Sequence, residues 1–294
     1  MSELLKPRRS VLYVPGSNSR ALQKAADLGA DCLVLDLEDA VAPEFKAQAR
    51  SQVSAFLSQR PASRSEFMVR VNGADTPWFA DDLAEVLAYP PRGLVFPKVR
   101  SAEDLRALDD ELSERGAAPG LELWAMIELP EAILRIRELA EMAQSSRLAC
   151  FLVGTNDLAK ELSIRVGPDR KGLLTALSST VLAACAYGIG AIDGVFNDIS
   201  DADGFEAECL DSLGMGFHGK SLIHPSQISR ANEIFAPAED ELEEAKAIIA
   251  AFELAENLGK GVIVVNGKMT ERLHLERARA LVAKSDAIAG LAAP

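Results

Sequence analysis

The chain has 294 residues, 48% of them hydrophobic, and carries 44 acidic against 31 basic side chains for a net charge of −13. That length and apolar content can bury the core of one barrel-sized domain, and the acidity excludes a duplex-binding protein, which needs a dominant basic face. The opening MSELLKPRRS leads only to a short apolar stretch over 10–16 that already ends in turn chemistry, so neither a signal peptide nor a membrane span is expected.

In chain order, short apolar, β-branched runs fall at 10–15, 31–37, 66–71, 93–99, 121–127, 148–153, 191–197 and 215–223. Stretches such as Cys32-Leu33-Val34-Leu35 and Ala149-Cys150-Phe151-Leu152-Val153 are continuous rather than alternating, as suits parallel strands covered on both faces. Helical patterns separate the runs at 19–28, 43–59, 78–88, 101–115, 130–144, 171–187 and 201–213. Gly29 closes the first as a C-cap, Ser101 with Asp104 opens the fourth, and Pro130 sits where a first helical turn tolerates it. Eight strands with intervening helices predict an α/β fold, a (β/α)8 TIM barrel over 1–228. An open doubly wound sheet would announce itself with a glycine-rich phosphate loop, and Val14-Pro15-Gly16-Ser17-Asn18-Ser19 lacks that pattern.

The remaining 229–294 reads as a C-terminal helical extension. It has a long acidic helix over 239–258, a break at Gly259-Lys260-Gly261, a short apolar run over 262–265 and a basic helical pattern over 270–284. It exceeds what a barrel needs and is expected to pack on an adjacent subunit. The four cysteines, Cys32, Cys150, Cys185 and Cys209, have no zinc-type spacing and read as reduced, mostly buried thiols of a cytoplasmic protein. Arg8, Arg9, Arg20 and Lys24 form a basic group near the start that suits a small anionic ligand or a solvated face.

Chemistry in a barrel sits at the C-terminal strand ends. Those ends carry Asp36-Leu37-Glu38-Asp39, Arg70 with Asn72, Pro97-Lys98, Glu128, Gly154-Thr155-Asn156-Asp157 and His224-Pro225. Glu128 and Asp157 fall on neighbouring strands, whose spacing of about 5 Å lets both reach one cation. Magnesium commonly takes one or two carboxylates and leaves positions for water and substrate. Arg70, inside an apolar strand, is costly without a partner and is the natural fork for a substrate oxyanion. His218, His224 and His274 are not spaced as a metal triad, and no GxSxG elbow is present. Lys98 reads as a barrel-mouth charge rather than a Schiff-base lysine.

These residues also fall in longer motifs. They are Arg9-Ser10-Val11-Leu12-Tyr13-Val14-Pro15-Gly16, Asp36-Leu37-Glu38-Asp39-Ala40-Val41, Val69-Arg70-Val71-Asn72, Phe96-Pro97-Lys98, Ile127-Glu128, Gly154-Thr155-Asn156-Asp157-Leu158 and Ile223-His224-Pro225-Ser226-Gln227. With them, the sequence resembles the citrate lyase β-subunit-like and malyl-CoA lyase family of magnesium-dependent carbon–carbon lyases. The resemblance implies that Glu128 and Asp157 bind Mg2+, with Glu128 also facing substrate. It implies that Arg70 binds a substrate oxygen while Glu38 and Asp39 orient Arg70 and metal waters. Tyr13, Arg20, Lys24, Ile223, His224 and Pro225 would line the substrate and coenzyme A site. In Gly267-Lys268-Met269-Thr270-Glu271, Glu271 stands where the family's pattern has an acid–base aspartate, and Leu273 replaces a common proline. One added methylene moves that carboxylate by about 1.5 Å, enough to change proton-transfer geometry.

The implied activity is reversible aldol or Claisen cleavage of a 3-hydroxyacyl-CoA of malyl-CoA, citramalyl-CoA or citryl-CoA type to a 2-oxo acid and acetyl-CoA, in a homotrimer or hexamer. The alternatives are a malyl-CoA thioesterase, an aldolase acting on a free 2-oxo acid, and an acyl-carrier-dependent subunit of a citrate lyase complex.

Overall fold

The structure, a computed structural model, describes residues 6–59 and 61–292. The described chain divides into two compact units: Arg8–Ile234, and a second formed by residues 6–7 and 235–292.

In the first unit the apolar runs become strands β1 (Ser10–Pro15), β2 (Cys32–Asp36), β3 (Glu66–Arg70), β4 (Gly93–Phe96), β5 (Glu122–Ile127), β6 (Leu148–Val153), β7 (Gly190–Asp193) and β8 (Gly219–Leu222). They are parallel and close in sequence order, with β8 returning to pair β1. Helices α1 (Ser19–Ala25), α2 (Lys46–Ser58), α3 (Phe79–Ala88), α4 (Ala102–Glu114), α5 (Pro130–Leu134), α6 (Ile136–Glu141), α7 (Thr155–Glu161), α8 (Leu174–Tyr187), α9 (Ala202–Met215) and α10 (Ile228–Ile234) surround them. The fold is the (β/α)8 barrel that the patterning predicts.

Continuous apolar strands give two buried faces. One face fills the barrel with Val11, Val34, Met68, Val95, Trp124 and Leu152, a packed interior and not a pore. At the N-terminal ends of the strands, Arg8 lies 4.7 Å over the Trp124 ring and pairs with Glu66 (2.8 Å) and Glu122 (2.5 Å). Arg9 is held by Asp31 at 2.8 Å. The basic group expected at the chain start therefore does not form: Arg8 and Arg9 are neutralised in place, while Arg20 and Lys24 stand exposed on α1.

The boundaries differ from the sequence reading for local reasons. The fourth strand stops at Phe96 rather than 99 because Lys98 turns into the left-handed region at φ 57°. The last strand begins at Gly219 rather than 215, since α9 runs on to Met215 and ends on Gly216 at φ 99°. The predicted helix over 130–144 breaks at Arg135, and Thr155–Glu161 forms a helix where only a strand end was read. The barrel unit continues past residue 228 through α10, whose Ile228, Ala231 and Ile234 are buried.

The second unit contains α11 (Glu239–Glu253), an antiparallel hairpin of β9 (Val262–Val265) and β10 (Lys268–Glu271), and α12 (Arg272–Ala292). Phe252, Ile263, Val265 and Leu275 form its core. Asn266 and Gly267 both have positive φ, 50° and 77°, as a tight two-residue hairpin turn demands. The extension is thus not wholly helical. Thr270 and Glu271, read as the start of a helix, are in a strand.

Three thiols, Cys32, Cys150 and Cys209, are buried, Cys185 is exposed, and all four are free. No described helix is long and apolar enough to cross a membrane.

Candidate active site

Strands β2 to β6 deliver their last residues to one mouth. Asp36 and Arg70 lie opposite each other in the register of β2 and β3. Arg70 donates from Nε to Asp36 Oδ1 at 2.7 Å and from NH2 to Oδ2 at 2.6 Å. Its NH1 lies 2.8 Å from Glu38 Oε2, and its guanidinium stacks 4.8 Å from the Tyr13 ring centroid. Burial works against the Arg70 charge, but Asp36, Tyr13 and Glu38 outweigh it and hold its pKa well above the usual value. Asp36 is itself fixed, accepting from the backbone N–H of Glu38 and of Ala40.

The resemblance gave the hold on Arg70 to Glu38 and Asp39, but the contacts are made by Asp36 and Glu38. Asp36 and Glu38 orient Arg70, whereas Asp39 is exposed at the rim of the mouth. Burial raises the Glu38 carboxyl strongly; Arg70 opposes, Asp39, Glu128 and Asp36 add to the rise, and the group titrates at about 7.

Glu128 follows β5 directly and is fully buried, while Asp157 lies in the first turn of α7, just after β6. The Lys98 ammonium sits between them, 2.6 Å from Asp157 Oδ1 and 3.3 Å from Glu128 Oε1. The Lys98 backbone N–H also donates to Glu128 Oε1 at 2.7 Å. Glu128 Oε2 is buried with no hydrogen-bond partner among the described residues. Burial raises the Glu128 pKa, Lys98 opposes, and Asp157 adds to the rise. The approach is close because Gly154 has no side chain: a Cβ there would meet Glu128 Cβ at 2.6 Å.

The donor set fits a hard divalent cation. Two carboxylates already share one positive charge, and an orphaned buried oxygen faces no competing donor. Among the described residues no three His, Cys, Asp or Glu side chains converge, so other positions on such an ion would fall to water or substrate.

A cavity of about 310 Å3 at this mouth is lined by Tyr13, Asp36, Arg70, Asn156, Asp157 and Ile223, among others. The structure therefore gathers Tyr13, Arg70, Asp157 and Ile223 around one space. His224 accepts from the Ser226 backbone N–H and caps the short turn at Pro225–Gln227. Arg20 and Lys24 lie on the exposed side of α1, outside that lining. Glu271 ends β10 in the second unit, its backbone N–H donating to His274 Nδ1 at 3.0 Å. Sequence reasoning missed the place of Lys98 between the two acids. The signal was there: Lys98 lies two residues past the end of β4, and β4 neighbours β5, which presents Glu128.

An eight-stranded parallel barrel with an anchored arginine and two acids sharing one ammonium at its strand ends has the architecture of a barrel enzyme. Residues 9–225 match the HpcH/HpaI aldolase/citrate lyase family, and the chain belongs to it. Over 293 residues, all of both chains, it is 46% identical to a (3S)-malyl-CoA thioesterase of Cereibacter sphaeroides. It is 32% identical to an L-malyl-CoA/beta-methylmalyl-CoA lyase of the same species, over 96% of each chain. The crystal structure of the Mycobacterium tuberculosis protein CitE, in complex with magnesium, acetoacetate and coenzyme A, superposes with a TM-score of 0.78 at 26% identity, covering 96% of this chain and 99% of that one.

Proposed function

We propose that this enzyme hydrolyses a short hydroxydicarboxylic thioester of coenzyme A, of malyl-CoA type, to the free acid and the thiol. The observation that carries the reading is the shared grip of Glu128 and Asp157 on one cation beside the anchored Arg70. The full-length 46% identity to a malyl-CoA thioesterase turns it toward hydrolysis and away from the carbon–carbon cleavage implied by the motifs.

Glu128 and Asp157 would hold a magnesium ion, which when bound supplies Lewis-acid polarisation of substrate oxygens. Arg70, which lines the mouth cavity, would bind a carboxylate or the oxyanion that develops as the thioester carbonyl is attacked. Asp36, Glu38 and the Tyr13 ring keep that guanidinium from turning, so it is preorganised before substrate arrives. Glu38, titrating near 7, holds or releases a proton beside Arg70. Hydrolysis consumes one water: its oxygen joins the acyl carbon, the carbon–sulfur bond breaks, and its proton passes through a carboxylate to the leaving sulfur. Glu271 is the second candidate for that acid–base work, contributed by a neighbouring copy in a homotrimer or hexamer. Ile223, His224 and Pro225 would border the thioester arm. The reading places the enzyme in the cytoplasm, where its free thiols stay reduced.

Cleavage to a 2-oxo acid and acetyl-CoA is the second reading, favoured by the lyase relative and by the acetoacetate and coenzyme A in the CitE complex. The same residues would serve it, with the base taking the substrate's hydroxyl proton. One assay separates the two. Purified chain with magnesium and malyl-CoA is followed for free thiol and for glyoxylate in parallel. Thiol with malate and no glyoxylate is the expected result; glyoxylate with acetyl-CoA would replace hydrolysis by cleavage. Full activity in Glu128→Gln would remove the site from either reaction.

A further inference from the structure

Lys98 is built into the acidic pair twice. Its backbone N–H donates to Glu128 Oε1, and its side chain returns to place the ammonium between that same oxygen and Asp157. The turn that allows this puts a residue with a side chain at φ 57°, a left-handed conformation that is unfavourable and persists only when the surroundings enforce it. The ammonium covers one edge of the pair and leaves Glu128 Oε2 without a partner. Two carboxylates and one ammonium still carry a net negative charge.

The Lys98 side chain is 37% exposed, against 0% for Glu128, so open space borders the ammonium but not the carboxylate. Lys98 also lines a second cavity of about 440 Å3, beside α3 and α4, whose other charged lining residues are Asp75, Arg100, Asp104 and Glu111. A withdrawing ammonium would meet Asp75 there, while Arg100 and Arg115 already pair with Asp104 and Glu111.

We infer that Lys98 is a tethered competitor for the metal. Its ammonium holds Glu128 and Asp157 while no divalent ion is bound, and withdraws toward the α3–α4 cavity when one enters. Two cations cannot share the same carboxylate oxygen at these distances without strong repulsion. The tether keeps two buried or half-buried acids from repelling each other in the empty protein, at the expense of metal affinity. The inference rests on the reading that Glu128 and Asp157 are the metal ligands. The opposite role, a lysine that pre-shapes the pair for metal, predicts the opposite sign.

The experiment is a Mn2+ titration of the chelator-stripped full chain, followed by electron paramagnetic resonance, with melting of the metal-free protein alongside. Lys98→Met should bind Mn2+ roughly tenfold tighter than the parent. Its metal-free form should melt lower, and its gain in melting temperature on adding Mn2+ should be larger. Lys98→Arg keeps the charge and should stay within about twofold of the parent, a rescue that a packing role would not give. Lys98→Gln repeats the test should the methionine variant fail to fold. Unchanged or weaker Mn2+ binding in the neutral variants overturns the inference. Equal binding by the parent and Glu128→Gln would instead overturn the metal assignment beneath it, and the two failures are told apart by that one control.

Discussion

Asp36 and Arg70 stand directly opposite each other on β2 and β3 and close a two-pronged ion pair, at 2.7 and 2.6 Å, with Asp36 wholly buried. Removing one charge leaves the other buried without its partner, which costs about 3–5 kcal/mol. It also frees the guanidinium that would face substrate, and an error of about 1 Å in such a group can cost 10²-fold in rate. Asp36→Asn is therefore expected to lower kcat/KM by about a hundredfold and to lower the urea midpoint. Arg70→Lys keeps the charge but loses the fork and the stacking on Tyr13, and is expected to lose activity to a similar degree with less loss of stability. An Asp36→Asn enzyme with parental kinetics would show that Arg70 does not need this anchor.

The Glu38 carboxyl gives a pH signature. It titrates at about 7 in the folded chain, raised first by burial, whereas an unfolded glutamate titrates near 4.3. The folded state therefore binds the proton more tightly. The stability this confers is complete below about pH 4, declines as pH rises toward 7, and is gone above that value. Glu38→Gln stays neutral and lacks the decline. In metal-free buffer, the melting temperature of Glu38→Gln minus that of the parent should rise between pH 5 and pH 8, by roughly 3–6 °C. A flat or falling difference across that window would mean that Glu38 is ionised throughout it.

Gly154 decides how closely β6 can approach Glu128. An alanine Cβ there would lie 2.6 Å from Glu128 Cβ and 2.7 Å from Oε2, and Glu128 is buried and cannot move aside freely. Gly154→Ala is expected to weaken Mn2+ binding at least about tenfold and to cost about 1–3 kcal/mol of stability through overcrowding. Gly120→Ala is the control, since nothing lies within 4 Å of a Cβ at that exposed position. Parental Mn2+ affinity in Gly154→Ala would show that Glu128 is not the tight ligand this packing implies.

The barrel was legible because its signal is one-dimensional. Runs such as Cys32-Leu33-Val34-Leu35 are apolar on both faces, as a covered parallel strand requires, and short apolar runs recur between helical patterns. Ends were less legible, because they turn on single residues: Lys98 at positive φ, or Gly216 capping α9. Within the site, Glu128, Asp157 and Arg70 could be named from their places at strand ends. Their partners could not. Whether Asp36, Glu38 or Asp39 reaches Arg70 depends on strand register, which puts Asp36 opposite it and leaves Asp39 at the rim. The hairpin at Asn266-Gly267 carried a strong turn signal, but a single apolar run beside it gave no second strand to pair.

Glu271 supplies the last prediction. It ends β10, anchored by the hairpin and by the His274 contact, and the sequence resemblance implies an aspartate at its place. As the acid–base group its removal should cost about 10²–10⁴-fold in turnover. Glu271→Gln should show that loss with Mn2+ affinity unchanged, whereas Glu128→Gln should lose both. Glu271→Asp pulls the carboxylate back by about 1.5 Å and should retain part of the rate. If the group reaches the mouth of a neighbouring copy, then Glu271→Gln and Glu128→Gln chains, each inactive alone, should recover activity when unfolded and refolded together, because some sites then pair an intact Glu128 with an intact Glu271. No recovery on mixing, or a chain that light scattering shows to be monomeric, would contradict delivery between copies, and an undiminished Glu271→Gln enzyme would leave Glu38 as the proton carrier.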